Sequence, residues 1–265
     1  VGFGIAILVA AVATYQSLLA TQQAYYDRGH FAQVFATAKR VPEALAARLT
    51  AIPGIGVLET RVVEDVTLTL PGSAEPLTSH IVSLPDDREP LLNRLYLRQG
   101  RPVGPNATNE VLVGEAFANA NHLRSGGALT AILNGRLKTL RVAGIALSPE
   151  FVFATRPGDP ISDDARYGVM WMARKGLAAA FDMEGAFNDI SATLAPGANQ
   201  AAVLDAIDRL LEPYAVVGGV ARRRSVVLSQ RGETSAAVRQ GLGAGDTVIL
   251  FPTDAIADGV RVRPR

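Results

Sequence analysis

The first stretch of the chain is almost wholly apolar: Val1 to Ala13 apart from glycine and, after Thr14, Tyr15, Gln16 and Ser17, again Leu18 to Ala20. A membrane span needs about 20 apolar residues, so this run is short for a complete one. The chain opens on Val rather than Met, and the run is expected to be the second half of a truncated transmembrane helix. "SLLATQQAYYDRGHFAQVF" then continues at helical spacing and predicts a stalk. A signal-peptide core is the competing reading. No basic segment precedes the run, and no small-x-small cleavage site follows it. Tyr15, Tyr25 and Tyr26 suit a membrane interface.

Beyond this segment the pattern alternates between helical and extended periods. "RVPEALAARLTAIPG" predicts a helix with Pro42 in its first turn, an apolar face of Leu45, Leu49 and Ile52, and a stop at Pro53-Gly54. "GVLETRVVEDVTLTLPG" reads as one long strand or a bulged pair, and "SHIVSLP" as another strand. "EPLLNRLYLRQGRPVGPNATN" reads as a short apolar turn and a loop. Glu110 to Val113 predicts a strand and Glu115 to His122 a helix. "ALTAILNGRLKTLRVAGIAL" predicts a hairpin about Asn134-Gly135, the pair best suited to a type I′ turn. "YGVMWMA" and "FNDISATLAP" read as strands, "RKGLAAAFD" as a short helix. "NQAAVLDAIDRLLEPY" reads as an amphipathic helix capped by Asn199, with Ala202, Leu204, Ile207, Leu210 and Leu211 along one side. The fold class is therefore α+β: a mixed domain over about 25–214, after a helix over 1–24 and before a small all-β tail.

Composition narrows the function classes. The chain is 48% hydrophobic, enough for a sizeable core, and its net charge is +1. Its basic residues are spread along the sequence, without the stripe or patch that nucleic-acid binding requires. It contains no cysteine, which excludes disulfides, Cys-ligated zinc and thiol catalysis.

The ordered pieces "PEALAARLTAIPGIGVLETR", "LYLRQGR", "NEVLVGEAFANANHLRSGGALTAILNGRLKTLRVAGIA" and "DAIDRLLEPY" resemble the periplasmic core domain of FtsX-type ABC transporter permeases, the MacB-like group. Ser125 to Gly127 stands where that pattern has a Gly-Asp turn, and Val142 to Ala146 stands for its Val-Gly-Ile strand. The resemblance covers about residues 1–214. It implies a non-catalytic, cofactor-free extracytoplasmic domain in the bacterial inner membrane, with its main body in the periplasm. The partners implied are a separate cytoplasmic ABC ATPase, a periplasmic adaptor protein, and the lipid bilayer through residues 1–20. Export and the release of lipids or lipoproteins are the activities implied.

The last residues carry a second likeness. "VRQGLGAGDTVI" and "ADGVRV" resemble the C-terminal end of HlyD-type periplasmic adaptor proteins. Gly241 and Gly245 suit tight turns, Asp246 suits bonding to nearby backbone N–H groups, and Asp258-Gly259 suits a final turn. The two likenesses imply a seam over 215–224, with a junction near Ala215–Ala221, and an adaptor-like β tail over 225–265. A membrane-anchored periplasmic adaptor or scaffold of an efflux system, with this tail native to it, is the alternative reading.

Candidate chemistry is sparse. His30, His80 and His122 have no metal-ligand spacing. The pairs Asp86-Asp87 and Asp163-Asp164 read as solvated loop charges. No Gly-x-Ser-x-Gly elbow occurs, and Gly2 to Gly4 lacks the context of a phosphate loop. An envelope hydrolase would need a titratable pocket residue that none of these motifs supplies. Arg222 to Arg224 suits either anionic lipid or a solvated strand edge. A contact surface is expected at Phe151, Phe153 and Trp171. Phe151 and Phe153 lie in a long loop, as a binding lip or as its anchors. Trp171 alternates with Met170 and Met172, core on one face and contact surface on the other.

Overall fold

The structure is a computed structural model. It describes residues 26–70, 75–152 and 163–214, and the backbone of 227–231 and 236–240. The chain divides into two compact units after Tyr214.

The first unit holds two lobes built on separate sheets. The small lobe is discontinuous in sequence. Strand β1 (Val34–Pro42) is followed by a 3-10 turn (Glu43–Leu45), helix α1 (Ala46–Thr50) and strand β2 (Ile55–Arg61). Much later, β10 (Ala186–Leu194) pairs antiparallel between β1 and β2, and α4 (Gln200–Leu211) returns. The helices cover one face of this sheet. Leu45, Leu49 and Ile52 meet Val203, Ile207 and Leu211 over Val34, Val41, Phe187 and Ile190. Asn199 caps α4 by accepting from the Ala202 N–H at 3.2 Å. Gly54 ends the α1 turn at φ +96°, and a Cβ there would stand 2.9 Å from Val203.

The large lobe is inserted between β2 and β10. Its strands are β3 (Val63–Thr69), β4 (Leu77–Leu84), β5 (Tyr96–Gly100), β6 (Glu110–Gly114), β7 (Ala128–Leu133), β8 (Arg136–Leu147) and β9 (Tyr167–Ala173). They order as β5-β8-β6-β9-β4-β3-β7, and β7 pairs with β8 as well. The sheet thus closes on itself, with the long β8 serving β7 through its first half and β5 and β6 through its second. Inside lie Val66, Leu68, Ile81, Val111, Leu129, Leu140, Met170 and Met172, joined by residues of α2 (Glu115–Ala120) and α3 (Arg174–Ala180). The β7–β8 turn has Asn134 at φ 48° and Gly135 at φ 74°, as the Asn-Gly pair predicts.

Several expectations are corrected. Residues 55–69 form neither one strand nor a bulged pair. They are two strands of different sheets, broken at Val62, whose N–H donates to Ser83 Oγ and whose carbonyl accepts the Ser83 N–H, both at 2.8 Å. Alternation shows that a segment is extended but not which sheet it joins. The helical spacing expected through Phe35 gives way to β1 from Val34, where pairing with β10 outweighs local pattern. The segment 90–109 contains strand β5, whose exposed residues hide its period. The buried face of α4 is Val203, Ile207 and Leu211, while Leu204 is exposed. The helix expected over 1–24 lies outside the described residues. Among those described, no helix is long and apolar enough to cross a membrane.

In the second unit, β11 (Val227–Arg231) pairs antiparallel with β12 (Ala236–Gln240). The Gly241–Val262 stretch and the Arg222–Arg224 run lie outside the described residues.

Candidate functional site

The small sheet has helices on one face only. Its other face meets the large lobe, and the seam between them is polar and buried. Arg61 ends β2 and is 9% exposed, and Asp189 on the adjacent β10 is 6% exposed. Arg61 donates to Asp189 Oδ1 through Nε at 2.7 Å. It also grips Glu150 of the large lobe with both terminal nitrogens, at 2.5 and 2.9 Å. Such two-pronged Arg–carboxylate contacts fix orientation as well as charge. Asn93 Nδ2 donates to the same Glu150 at 2.7 Å, and its Oδ1 accepts the Ala32 N–H at 2.9 Å.

Two further ties flank this triad. Arg174, at the start of α3, donates to the Thr60 carbonyl at 2.6 Å and to Glu43 at 2.5 Å. Arg88 donates to the buried Glu59 at 2.6 Å, and the Leu92 N–H reaches the other Glu59 oxygen at 3.0 Å. Glu59, Thr60 and Arg61 are consecutive on β2, so this one strand of the small lobe is held at three successive residues by the large lobe. Asn188 adds a backbone tie to β3, accepting from the Val63 N–H and donating to its carbonyl, each at 2.8 Å.

Electrostatics favours the paired state. Burial alone would lower the Arg61 pKa, but Asp189 and Glu150 outweigh it and hold the guanidinium charged, above its ordinary value. Burial pushes the Asp189 carboxyl up, and Arg61 opposes that shift. Beside the seam, burial and then the neighbouring Asp65 push Glu64 up, while His80 and the hydrogen bond from Asn188 pull the other way.

A small cavity of about 20 Å³ lies in the seam, lined in part by Glu59, Arg61, Ser83, Asn93 and Glu150. A wide cleft of about 870 Å³ opens between the lobes. Its walls include Leu58, Ala178 and Met183 among the charged side chains of Glu43, Asp86, Asp87, Arg174, Lys175 and Glu184. Asp86 accepts the Lys175 N–H at 3.1 Å. Each guanidinium of the seam faces a carboxylate, an arrangement suited to holding two bodies together.

The expected contact residues fall as follows. Trp171 does turn away from Met170 and Met172, but onto a second apolar cluster with Val82, Leu112 and Val169, and it is 3% exposed. Phe151 packs on it, with ring centres 6.3 Å apart, and on His80 at 5.6 Å. Phe153 lies outside the described residues. Pattern reading missed Arg61, Glu150 and Asp189. The available signal was a charge within each of the strand sequences "LETR" and "FNDIS", where burial demands a partner. His30 and His122 lie apart, at φ 50° and 55°, and no group of three or more metal-ligating acidic or histidine side chains occurs among the described residues.

No protein-family model matches the chain, and no curated protein matches it. Among solved structures, the chain is similar to the periplasmic region of MacB from Actinobacillus actinomycetemcomitans. The identity is 13% and the TM-score 0.39, over 65% of this chain and 73% of that one. It is also similar to the extracellular domain of the noncanonic ABC-type transporter YknZ from Gram-positive bacteria. There the identity is 13% and the TM-score 0.42, over 66% and 84%.

Proposed function

We propose that this chain supplies the extracytoplasmic domain of an ABC transporter permease of the export or lipoprotein- and lipid-release type. It is a non-catalytic module that couples a cytoplasmic ATPase to the handling of substrate or partner outside the membrane. Residues 1–24 are assigned to a transmembrane and stalk helix and 25–214 to the domain itself. Residues 215–224 are assigned to a seam, and 225–265 to an adaptor-like β tail. The inner membrane is its location, with the domain on the periplasmic side.

The observation that carries this reading is the charged seam. A module that transmits displacement must move its lobes together, and β2 is gripped by the large lobe at Glu59, Thr60 and Arg61. The order of the motifs supports it as well, because each falls on an element of the first unit. Reporter fusions after Tyr214 test the proposal. An active alkaline phosphatase fusion and a dark green-fluorescent-protein fusion are expected in bacterial cells. The reverse pair of results places the domain in the cytoplasm and sinks the reading.

A further inference from the structure

The rim where the chain enters the small lobe is aromatic and apolar, with arginines interspersed. Tyr26 stacks against Phe31 with ring centres 4.7 Å apart, and Phe31 against Phe35 at 5.8 Å. A second stretch lies alongside. The Asn93 N–H donates to the His30 carbonyl at 3.0 Å, and the Arg94 N–H to the Gly29 carbonyl at 2.8 Å. The two stretches therefore form one edge. Large apolar side chains stand out from it: Phe35 is 41% exposed, Leu91 42% and Tyr96 58%. The exposed cations Arg28, Arg94 and Arg98 are interspersed, the last lying 6.0 Å over the Tyr96 ring. Asp27 and Glu89 are the carboxylates of these stretches, while Arg98 shares Glu115 at 2.9 Å.

We infer that this rim rests on the headgroup region of an anionic lipid bilayer and sets the tilt of the domain above it. The inference rests on the reading that residues 1–20 enter the membrane. Between Ala20 and Tyr26 there are only six residue steps, which span at most about 20 Å when fully extended. The rim is thus the part of the folded domain that this tether brings to the bilayer. Its composition fits that place. Aromatic rings with polar tips favour the membrane–water interface, and arginines keep their charge in water while their stems lie on apolar surface. Basic side chains are drawn to anionic headgroups. Phe35 also lies against Arg61, 5.9 Å from ring centre to guanidinium carbon, so the rim touches the seam that joins the lobes.

The test uses the full chain, which has no cysteine of its own, so one introduced cysteine carries one probe. Leu91→Cys and Tyr96→Cys take an environment-sensitive fluorophore. Ala10→Cys serves as the anchor control. Leu137→Cys, 72% exposed on the β7–β8 hairpin, serves as the control away from the rim. Each is reconstituted in phosphatidylcholine vesicles, with and without phosphatidylglycerol, that carry a headgroup nitroxide quencher. The probes at 91 and 96 should shift to the blue and be quenched in the anionic vesicles, while the probe at 137 stays in water. One basic residue near an anionic surface multiplies occupancy about fivefold. Arg94→Glu should therefore lower the docked-to-free ratio by at least about fivefold, and salt near 1 M, with a Debye length of about 3 Å, should erase that difference. Quenching at 91 and 96 no stronger than at 137, with the probe at 10 quenched, overturns the inference and leaves the membrane reading intact. A probe at 10 that is also unquenched overturns both. Protection at 91 and 96 that appears in detergent and grows with protein concentration overturns it in favour of a protein partner.

Discussion

Replacing Arg61 by Met tests the seam most sharply. Met has a similar length and fills much of the same space, but it removes the guanidinium that stands between Asp189 and Glu150. Arg61 is 9% exposed and Asp189 6%, and the Glu150 side chain is 13% exposed. Two carboxylates are then left out of water and facing each other. Removing one partner of a buried ion pair costs about 3–5 kcal/mol, against a total stability of about 5–15 kcal/mol for a typical domain. The loss also depends on pH. Burial already pushes the Asp189 carboxyl up, and without Arg61 it rises further. A raised folded-state pKa contributes stability that is complete below the unfolded value and disappears as pH rises through the folded one. The penalty should therefore be smaller near the acid range of an ordinary carboxylate and larger at neutral pH. Urea unfolding followed by the fluorescence of Trp171, the single tryptophan, reports directly, since that ring is buried and packs on Phe151, the neighbour of Glu150. A loss below about 1 kcal/mol, or one that does not change with pH, would refute the reasoning. Adding Asp189→Asn to Arg61→Met should recover part of the loss.

Other predictions follow the same logic. Glu64→Gln keeps the oxygen that accepts from Asn188 at 3.0 Å and removes a charge that burial and Asp65 disfavour. Because the carboxyl is raised in the folded state, the variant should melt higher than the parent at neutral pH, and the gain should vanish on acidification below the ordinary glutamate range. Gly168→Ala would place a Cβ 2.3 Å from the buried Phe117 ring and should cost about 1–3 kcal/mol in urea unfolding. Asn199→Ala removes the α4 cap and should cost about 1 kcal/mol, read the same way. An unchanged midpoint in either variant would contradict the packing described.

Strong local signals were legible in the sequence. The Asn134-Gly135 hairpin, the apolar face of Leu45, Leu49 and Ile52, and the Asn199 cap stand where the pattern puts them. Each depends on chemistry within a few residues. What was not legible depends on distant partners. Arg61 and Asp189 are 128 positions apart in the chain, and Arg61 and Glu150 are 89 apart, so no spacing rule connects them. Strands β2 and β3 read as one extended run because the switch at Val62 is made by Ser83, from another strand. Trp171 read as a contact surface opposite Met170 and Met172; the alternation is real, and the sheet has an apolar cluster on both of its faces there.

The measurement that bears most directly on the central claim is the labelling of a single cysteine at Thr50, a residue of the interlobe cleft, in intact bacterial cells that also express the cytoplasmic ABC ATPase proposed as its partner. A membrane-impermeant maleimide should label Thr50→Cys without lysis, and the rate should change when the ATPase is replaced by a hydrolysis-dead variant. Labelling only after lysis, or a rate indifferent to the ATPase, would contradict an extracytoplasmic domain coupled to ATP hydrolysis.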